Sequence, residues 1–123
     1  MSGAILVVDD EVDLAESFER LLKRRGWPVV TATSRGGALE ALRGAAAPAL
    51  VLVDRHLPDG DGLDVLRAAR ARGAPVIVMS GHTSVNDRDQ ALAAGAMAFL
   101  GKPLTTVALL DMVRAVVGDP PAA

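Results

Sequence analysis

Short apolar runs alternate along the chain with stretches whose apolar residues recur every three or four positions. The short runs are rich in valine, isoleucine and leucine and contain almost no polar positions, which is typical of strands covered on both faces. The longer stretches have the periodicity of helices, and a glycine, which favours helix termination, stands just past each one. The pattern predicts strands at 5–8, 28–31, 50–53, 75–79 and 96–100, and helices at 14–22, 34–43, 62–72, 84–94 and 106–117.

The alternation of strand and helix determines the expected architecture. Each strand–helix–strand unit places its strands parallel through a right-handed crossover, and apolar strands require helices on both faces of the sheet. We therefore predict the α/β class, with a doubly wound five-stranded parallel sheet, (βα)5 and flavodoxin-like, in strand order 2-1-3-4-5. Residues 1–118 are expected to form this one domain, and 119–123 a C-terminal tail or the start of a linker.

Composition narrows the classes of partner. The 123 residues carry a net charge of −2 and the basic residues do not cluster, so direct nucleic-acid binding is not expected. Cysteine is absent, which excludes disulfides and thiolate metal sites and suits a cytoplasmic location. No apolar stretch is long enough to span a bilayer, so membrane association is not predicted.

Polar residues stand where the predicted strands end. Asp9 and Asp10 follow the first strand, Asp54 the third, Ser80 the fourth and Lys102 the fifth. In the predicted strand order these carboxyl ends are neighbours, so the side chains should converge in one crevice. Three carboxylates repel one another unless a cation intervenes, and Mg²⁺ suits carboxylate, water and phosphate oxygens. Such a site suits phosphoryl transfer, with Asp54 as the nucleophile that forms an acyl phosphate.

Each of these residues also has a simpler interpretation when it is taken alone. Asp9 and Asp10 could cap the first helix, and Asp54 could begin a turn. Ser80 could be a cap or turn residue, and Lys102 a solvated surface lysine. The motifs G-x-x-x-x-G-K-[ST] and G-x-G-x-x-G are absent from the sequence, which argues against nucleotide binding by this fold.

The segments around these residues resemble the receiver domains of two-component response regulators. The resemblance covers residues 4 to 117 and includes Asp-Asp-Glu at 9–11, Leu-Pro-Asp-Gly at 57–60, Met-Ser-Gly at 79–81 and Lys-Pro at 102–103, in this order and spacing. It implies that Asp54 is the phosphoacceptor and that Asp10 binds Mg²⁺ (or Mn²⁺) directly, with Asp9 acting mostly through water. The backbone carbonyl of His56 is expected as a further metal ligand.

The same resemblance assigns roles to other residues of the crevice. Ser80 and Lys102 are expected to sense the phosphoryl group. Phe99 matches the aromatic switch position, whose ring moves inward when Ser80 closes on the phosphate. The Lys102–Pro103 peptide bond is expected to be cis. Modulators of donor access and of the dephosphorylation rate are expected at three flanking positions: His56, Gly81 and His82.

The resemblance implies a phosphorylation-dependent signalling switch that accepts a phosphoryl group from a sensor histidine kinase or a phosphotransfer protein. Such a domain catalyses only its own phosphorylation and dephosphorylation and is not an enzyme for an external substrate. Helix 4 has only Val85 and Leu92 as large apolar residues, so the face of helix 4, strand 5 and helix 5 is expected to change on phosphorylation. A downstream effector would bind this face, and a homodimer that forms on phosphorylation is a further expected partner.

Two alternatives to the switch are considered. A receiver-like scaffold that works without phosphorylation would keep the fold but would not need the complete set of acidic residues, hydroxyl and lysine. A phosphohydrolase with an aspartyl-phosphate intermediate would need a second acid beside the nucleophile and a pocket for its substrate. Arg55 and His56 follow Asp54 instead, and no insertion is long enough for a cap domain.

Overall fold

The computed structural model describes residues 3–44, 46–81 and 84–120. These form seven strands and five helices, in the order β1 Ile5–Val8, α1 Val12–Arg24, β2 Val29–Ala32, α2 Arg35–Ala41, β3 Leu50–Asp54, β4 His56–Leu57, β5 Gly60–Asp61, α3 Gly62–Ala71, β6 Val76–Ser80, α4 Val85–Ala93, β7 Ala98–Gly101 and α5 Thr106–Val117. Among the described residues, no helix combines the length and the apolar composition that crossing a bilayer requires.

Five of the strands form one sheet in the order β2-β1-β3-β6-β7, and every neighbouring pair is parallel. Since β6 and β7 are the fourth and fifth strands of this sheet, the order corresponds to the predicted 2-1-3-4-5, and the fold class is confirmed. The central strands β1, β3 and β6 are buried at every position. Their near-continuous apolar sequence is therefore explained by helices on both faces.

The sequence pattern did not predict the small hairpin between β3 and α3. Strands β4 and β5 pair antiparallel, with His56 opposite Asp61 and Leu57 opposite Gly60. Gly60 has a φ of 155°, a conformation that side-chain-bearing residues rarely adopt. Two-residue strands carry no periodicity, so only the turn residues between them could have indicated the hairpin.

The core consists of two apolar layers, one on each face of the sheet. Successive strand residues point to opposite faces, so Val51 and Val53 pack towards α2, α3 and α4, whereas Leu50 and Leu52 pack towards α1 and α5. All four side chains are completely buried. Burying each such side chain contributes about 1.5–3 kcal/mol, so β3 is held firmly and gives Asp54, at its end, a rigid base.

Helix α4 is only weakly anchored to the core. Of its nine described residues only Ala91 is buried, whereas Val85 is 75% exposed and Leu92 is 38% exposed. Helix α5, by contrast, buries Leu109, Leu110 and Val113. The low apolar content that the sequence indicated for this helix thus corresponds to weak packing in the structure.

Trp27 packs between the end of α1 and the start of β2. Its side chain is only 4% exposed and belongs to the core layer under α1 and α5. The indole Nε1 has no hydrogen-bond acceptor among the described residues. Because Trp27 precedes β2, it lies at the amino-terminal edge of the parallel sheet, opposite the edge where the strands end.

Candidate functional site

The carboxyl ends of β1 and β3 bring three aspartates together. Asp9 is completely buried and Asp54 is 6% exposed, whereas Asp10 faces solvent. Each offers one carboxylate oxygen such that the three oxygens lie within 4.8 Å of one another. The adjacency of β1 and β3 in the sheet therefore places residues 44 or more positions apart in one acidic crevice.

Lys102 reaches the same crevice from the end of β7. Its Nζ lies 2.7 Å from Oδ2 of Asp9 and 2.8 Å from Oδ2 of Asp54, and 3.4 Å from Oε1 of the more exposed Glu11. The backbone N–H of Lys102 donates to the carbonyl of Ser80 over 2.8 Å. The peptide bond to Pro103, expected to be cis, is cis. The contact with Glu11 was not predicted, because the sequence indicates only that Glu11 belongs to the loop after the first strand.

The charges in the crevice shift two pKa values. Burial raises the pKa of Asp9 above its ordinary value, and the nearby Lys102 ammonium and the Glu11 backbone N–H offset only part of that effect. Burial alone would lower the pKa of Lys102, but hydrogen bonds and Coulombic attraction from Asp54 and Asp9 outweigh it and raise the pKa. Lys102 is therefore firmly cationic at neutral pH.

These donors fit a small, hard divalent cation. Two buried carboxylates and one exposed carboxylate face a single ammonium, so a net negative charge remains in a poorly solvated place. Mg²⁺ binds through a few carboxylates and retains several waters, and the exposed side at Asp10 leaves room for them. The site thus suits an ion that is partly hydrated.

The backbone around Asp54 is held by three hydrogen bonds. The N–H of His56 donates to Oδ1 of Asp54 over 3.0 Å, which orients the carboxylate. The N–H of Arg55 donates to the carbonyl of Met79 over 2.8 Å, and the N–H of Gly62 donates to the carbonyl of Arg55 over 2.7 Å. These bonds fix the end of β3 against β6 and α3.

Gly62 has a role that the sequence did not indicate beyond starting helix 3. A Cβ atom at this position would lie 2.2 Å from the carbonyl oxygen of Asp54 and 3.0 Å from Cα of Arg55. Glycine is therefore required by the close approach of α3 to Asp54. Only the motif around it, and no local propensity, could have suggested this.

The structure places the remaining predicted site residues around the crevice. Ser80, at the end of β6, is completely buried. Phe99, on β7, is partly buried and packs against the core layer under α2, α3 and α4. An added Cβ at Gly81 would meet nothing within 4 Å, so the site is open on that side. His56 is exposed in β4, and His82 lies outside the described residues.

A cleft of about 380 Å³ adjoins this open side. Its polar wall comes from Glu11 and Lys102, and its apolar wall comes from α1 and the segment after β7. It is lined by Glu11, Leu14, Phe18, Gly81, Lys102, Pro103 and Leu104. The cleft therefore gives solvent access to Lys102.

The first aspartates do not cap helix α1 in the way that the simpler interpretation supposed. The N-cap residue is Glu11, and its side chain makes no cap hydrogen bond among the described residues. Oδ1 of Asp9 accepts from the N–H of Glu11 over 2.9 Å, while its other oxygen faces Lys102. The carboxylate of Asp9 therefore serves the crevice and only braces the entry to α1.

Sequence reasoning missed the surroundings of Arg55, the residue after Asp54. Its side chain is only 10% exposed and contacts acceptors from two other elements. Nε and Nη2 donate to Asp61 over 2.9 and 3.4 Å, Nη2 donates to Gln90 over 2.8 Å, and Nη1 donates to Asp87 over 3.5 Å. The N–H of Leu63 and this arginine together lower the pKa of Asp61, although burial opposes them.

Curated proteins related to this chain are response regulators. KdpE of Mycobacterium tuberculosis, a transcriptional regulatory protein, is 40% identical over 114 residues, which cover 92% of this chain and 50% of KdpE. PrrA of Mycobacterium leprae, also a transcriptional regulatory protein, is 42% identical over 118 residues, or 93% of this chain and 49% of PrrA. The chain spans about half the length of these relatives.

Solved structures give the same result. A CheY-like response regulator receiver domain protein from Methanospirillum hungatei superposes with a TM-score of 0.86 at 30% identity, covering 94% of this chain and 93% of that one. A response regulator from Burkholderia pseudomallei, solved with a phosphorylated aspartic acid, a calcium ion and citrate, superposes with a TM-score of 0.82 at 29% identity, covering 94% and 66%. The family model of the response regulator receiver domain matches residues 5–114. This chain therefore belongs to the receiver domains of two-component response regulators.

Proposed function

We propose that this chain is a phosphorylation-dependent switch that accepts a phosphoryl group on Asp54 from a sensor histidine kinase or a phosphotransfer protein. The observation that carries the proposal is the setting of the Asp54 carboxylate. It is nearly buried, one oxygen faces the Lys102 ammonium at 2.8 Å, and two further aspartates lie within 4.8 Å. The related Burkholderia pseudomallei regulator, with its phosphorylated aspartic acid, supports this assignment.

The chemical step is a displacement at phosphorus. A carboxylate oxygen of Asp54 attacks the phosphorus of a phosphohistidine or of a small acyl phosphate, and an O–P bond forms. The bond from phosphorus to the donor breaks, and the donor leaves with the electron pair. Lys102 stabilises the charge on the transferred phosphoryl oxygens, and the His56 N–H keeps the attacking carboxylate oriented.

The carboxylates of Asp9, Asp10 and Asp54 and the backbone carbonyl of His56 would hold the Mg²⁺ (or Mn²⁺) ion, with Asp9 acting mostly through water. When bound, this ion supplies positive charge that the transferring phosphoryl group needs. Asp9 is fully buried and contacts Lys102, so its carboxylate is placed to orient the Lys102 ammonium. The exposed Asp10 completes the carboxylate set from the solvent side.

The response to phosphorylation is assigned to Ser80 and Phe99. The Ser80 hydroxyl would donate to a phosphoryl oxygen, and its backbone carbonyl already accepts from the Lys102 N–H. Phe99 is partly buried on the edge strand β7 and packs against the core layer under α2, α3 and α4, and its ring is proposed to move inward when Ser80 closes on the phosphoryl group. His56, Gly81 and His82 are proposed to modulate donor access and dephosphorylation.

The output surface is the face formed by α4, β7 and α5. It exposes large apolar side chains: Val85 is 75% exposed, Met97 57% and Val107 67%. Apolar side chains grouped on one exposed face are typical of a surface that binds another protein. A downstream effector or a second copy of the domain would cover them. Residues 1–118 act as the receiver, in the cytoplasm, and catalyse no reaction other than their own phosphorylation and dephosphorylation.

The test is intact mass after incubation with acetyl phosphate and Mg²⁺. We expect a gain of one phosphoryl group, about 80 Da, that disappears with EDTA and in Asp54→Asn. Asp64→Asn is the matched control, since Asp64 is a carboxylate on α3 that pairs with Arg35 and Arg67 outside the crevice. If wild-type protein binds Mg²⁺ but gains no mass, the phosphorylation-independent scaffold replaces the switch.

A further inference from the structure

A buried guanidinium lies beneath helix α4. Arg55 follows the acceptor Asp54, and its side chain is only 10% exposed. It donates to Asp61, at the start of α3, and to Gln90 and Asp87 on α4. One side chain therefore joins the acceptor strand to two helices.

The base of this side chain is rigid. The N–H of Arg55 donates to the carbonyl of Met79 and its own carbonyl accepts from Gly62, so its backbone is tied to β6 and α3. Asp61 is itself fixed, because its Oδ1 accepts from the N–H of Leu63 as the N-cap of α3. The backbone of Arg55 and its partner Asp61 are thus both fixed, and the guanidinium extends from them to α4.

The other end of the contact is a helix with little apolar support. Within α4 only Ala91 is buried, whereas Val85 is 75% exposed and Leu92 is 38% exposed. If α4 withdraws, Arg55 keeps Asp61 as a partner but loses the acceptors Gln90 and Asp87, and a poorly solvated guanidinium that loses two of its acceptors is destabilised. The contacts of Arg55 with Asp87 and Gln90 should therefore contribute much of what holds α4 in place.

We propose that Arg55 is a positioning residue that couples the acceptor strand β3 to the position of α4. Its contacts with α4 have two states, engaged as in this structure and released. Since Arg55 is covalently next to Asp54, a change at the acceptor shifts the balance between them. This second step rests on the proposed phosphorylation of Asp54, whereas the anchoring of α4 does not.

The first experiment measures amide hydrogen exchange of residues 85–93 in the unphosphorylated, metal-free protein. Gln90 is exposed, so its variants do not endanger folding. Gln90→Ala removes the acceptor at 2.8 Å and should speed exchange in α4 several-fold, whereas Gln90→Glu supplies a charged acceptor and should slow it. Exchange of the central strands should not change in either variant.

The second measurement repeats both substitutions in an Arg55→Met background. Both effects should vanish there, because each acts through the guanidinium. Arg67→Met is the matched control, since Arg67 borders the same groove between α3 and α4 but pairs with the partly exposed Asp64. Equal effects of the Gln90 variants with and without Arg55, or no effect of either variant in wild type, would overturn the anchoring. If Arg55→Met does not fold, the opposite signs of the two Gln90 variants remain the test.

The coupling is tested with beryllofluoride and Mg²⁺ as the phosphoryl mimic. In wild type the mimic should change exchange in residues 85–93, and in Arg55→Met that change should fall by at least half. An undiminished change in Arg55→Met overturns the coupling. Absence of acetyl phosphate labelling in wild type would instead overturn the proposed function, while the metal-free exchange experiment would still decide whether Arg55 anchors α4.

Discussion

The ammonium of Lys102 lies 2.8 Å from Oδ2 of Asp54, although 48 positions separate the two residues in the sequence. The same nitrogen lies 2.7 Å from Oδ2 of Asp9. Lys102 therefore neutralises part of the carboxylate charge that would otherwise attract a metal ion, while it provides the positive charge that a phosphoryl group needs. Removal of the Lys102 charge should therefore have opposite effects on metal affinity and on the rate of phosphorylation.

Replacing Lys102 with methionine should strengthen metal binding and weaken phosphorylation. Loss of a unit charge about 4 Å away, even at the dielectric constant of water, is worth about 1 kcal/mol, roughly fivefold in Mg²⁺ affinity. Loss of the charge next to the phosphoryl group should slow labelling by acetyl phosphate roughly 10²- to 10³-fold. Calorimetry at pH 8 and mass spectrometry measure the two effects. Lys23→Met, on the exposed face of α1, is the control and should change neither.

Removing the charge of Asp10 should weaken metal binding without disturbing the fold. Asp10 is exposed, yet one of its oxygens lies within 4.8 Å of oxygens from Asp9 and Asp54. Asp10→Asn should lower Mg²⁺ affinity by about tenfold or more, by analogy with the cost of changing groups around metal ligands. Asp13→Asn removes the same charge three residues later, in the first turn of α1. Equal affinities of the two variants would remove Asp10 from the ligand set.

Adding a methyl group at Gly62 should damage both stability and phosphorylation. The new Cβ would lie 2.2 Å from the Asp54 carbonyl oxygen, so β3 and α3 must separate. We expect Gly62→Ala to lower the free energy of unfolding by about 1–3 kcal/mol, the usual cost of overpacking. Urea unfolding followed by circular dichroism measures the loss, and acetyl phosphate labelling should slow in parallel. Gly81→Ala, whose Cβ meets nothing within 4 Å, should leave stability within about 0.5 kcal/mol.

Asp59 should contribute stability that depends on pH. The backbone N–H groups of Gly36 and Arg35 donate to its two carboxylate oxygens, over 2.9 and 2.7 Å, and lower the pKa of Asp59. A folded-state pKa below the unfolded value means that this stabilisation is present above the ordinary value of 3.8 and is lost as pH falls through the folded-state pKa.

A comparison of wild type with Asp59→Asn tests whether the stabilisation by Asp59 decreases as the pH falls. The difference between their urea midpoints should be largest near neutral pH and should shrink below about pH 4. A difference that stays constant from neutral pH down to about pH 3 would mean that the charge of Asp59 has no part in holding the start of α2.

Most of the fold could be predicted because its signals are local. The apolar runs of β1, β3 and β6 have no other stable environment than the middle of a parallel sheet, and the glycine after each helix marks its end. The first residues of the two edge strands were predicted less accurately: β2 begins at Val29 and β7 at Ala98, one and two residues later than predicted. The strands at the rim of the sheet are half exposed, so their sequence pattern is less distinct.

The crevice could be predicted because topology alone brings strand ends together, whatever the side chains do. The environment of Arg55 could not be predicted. Its acceptors on α4 come 32 and 35 residues later, and the orientation of that helix, rather than the strand order, determines that they contact Arg55. The need for glycine at position 62 was hidden for a similar reason. It arises from the distance between two backbones, which no residue type reveals.

The place of Trp27 makes the protein its own optical reporter. It is the sole tryptophan of a chain without tyrosine, and it sits at the edge of the sheet farthest from the acidic crevice. Its emission should therefore follow loss of the folded core while remaining indifferent to metal ions and phosphate donors at the other edge. Trp27 emission can thus follow unfolding, and intact mass can follow phosphorylation, in the same unlabelled sample.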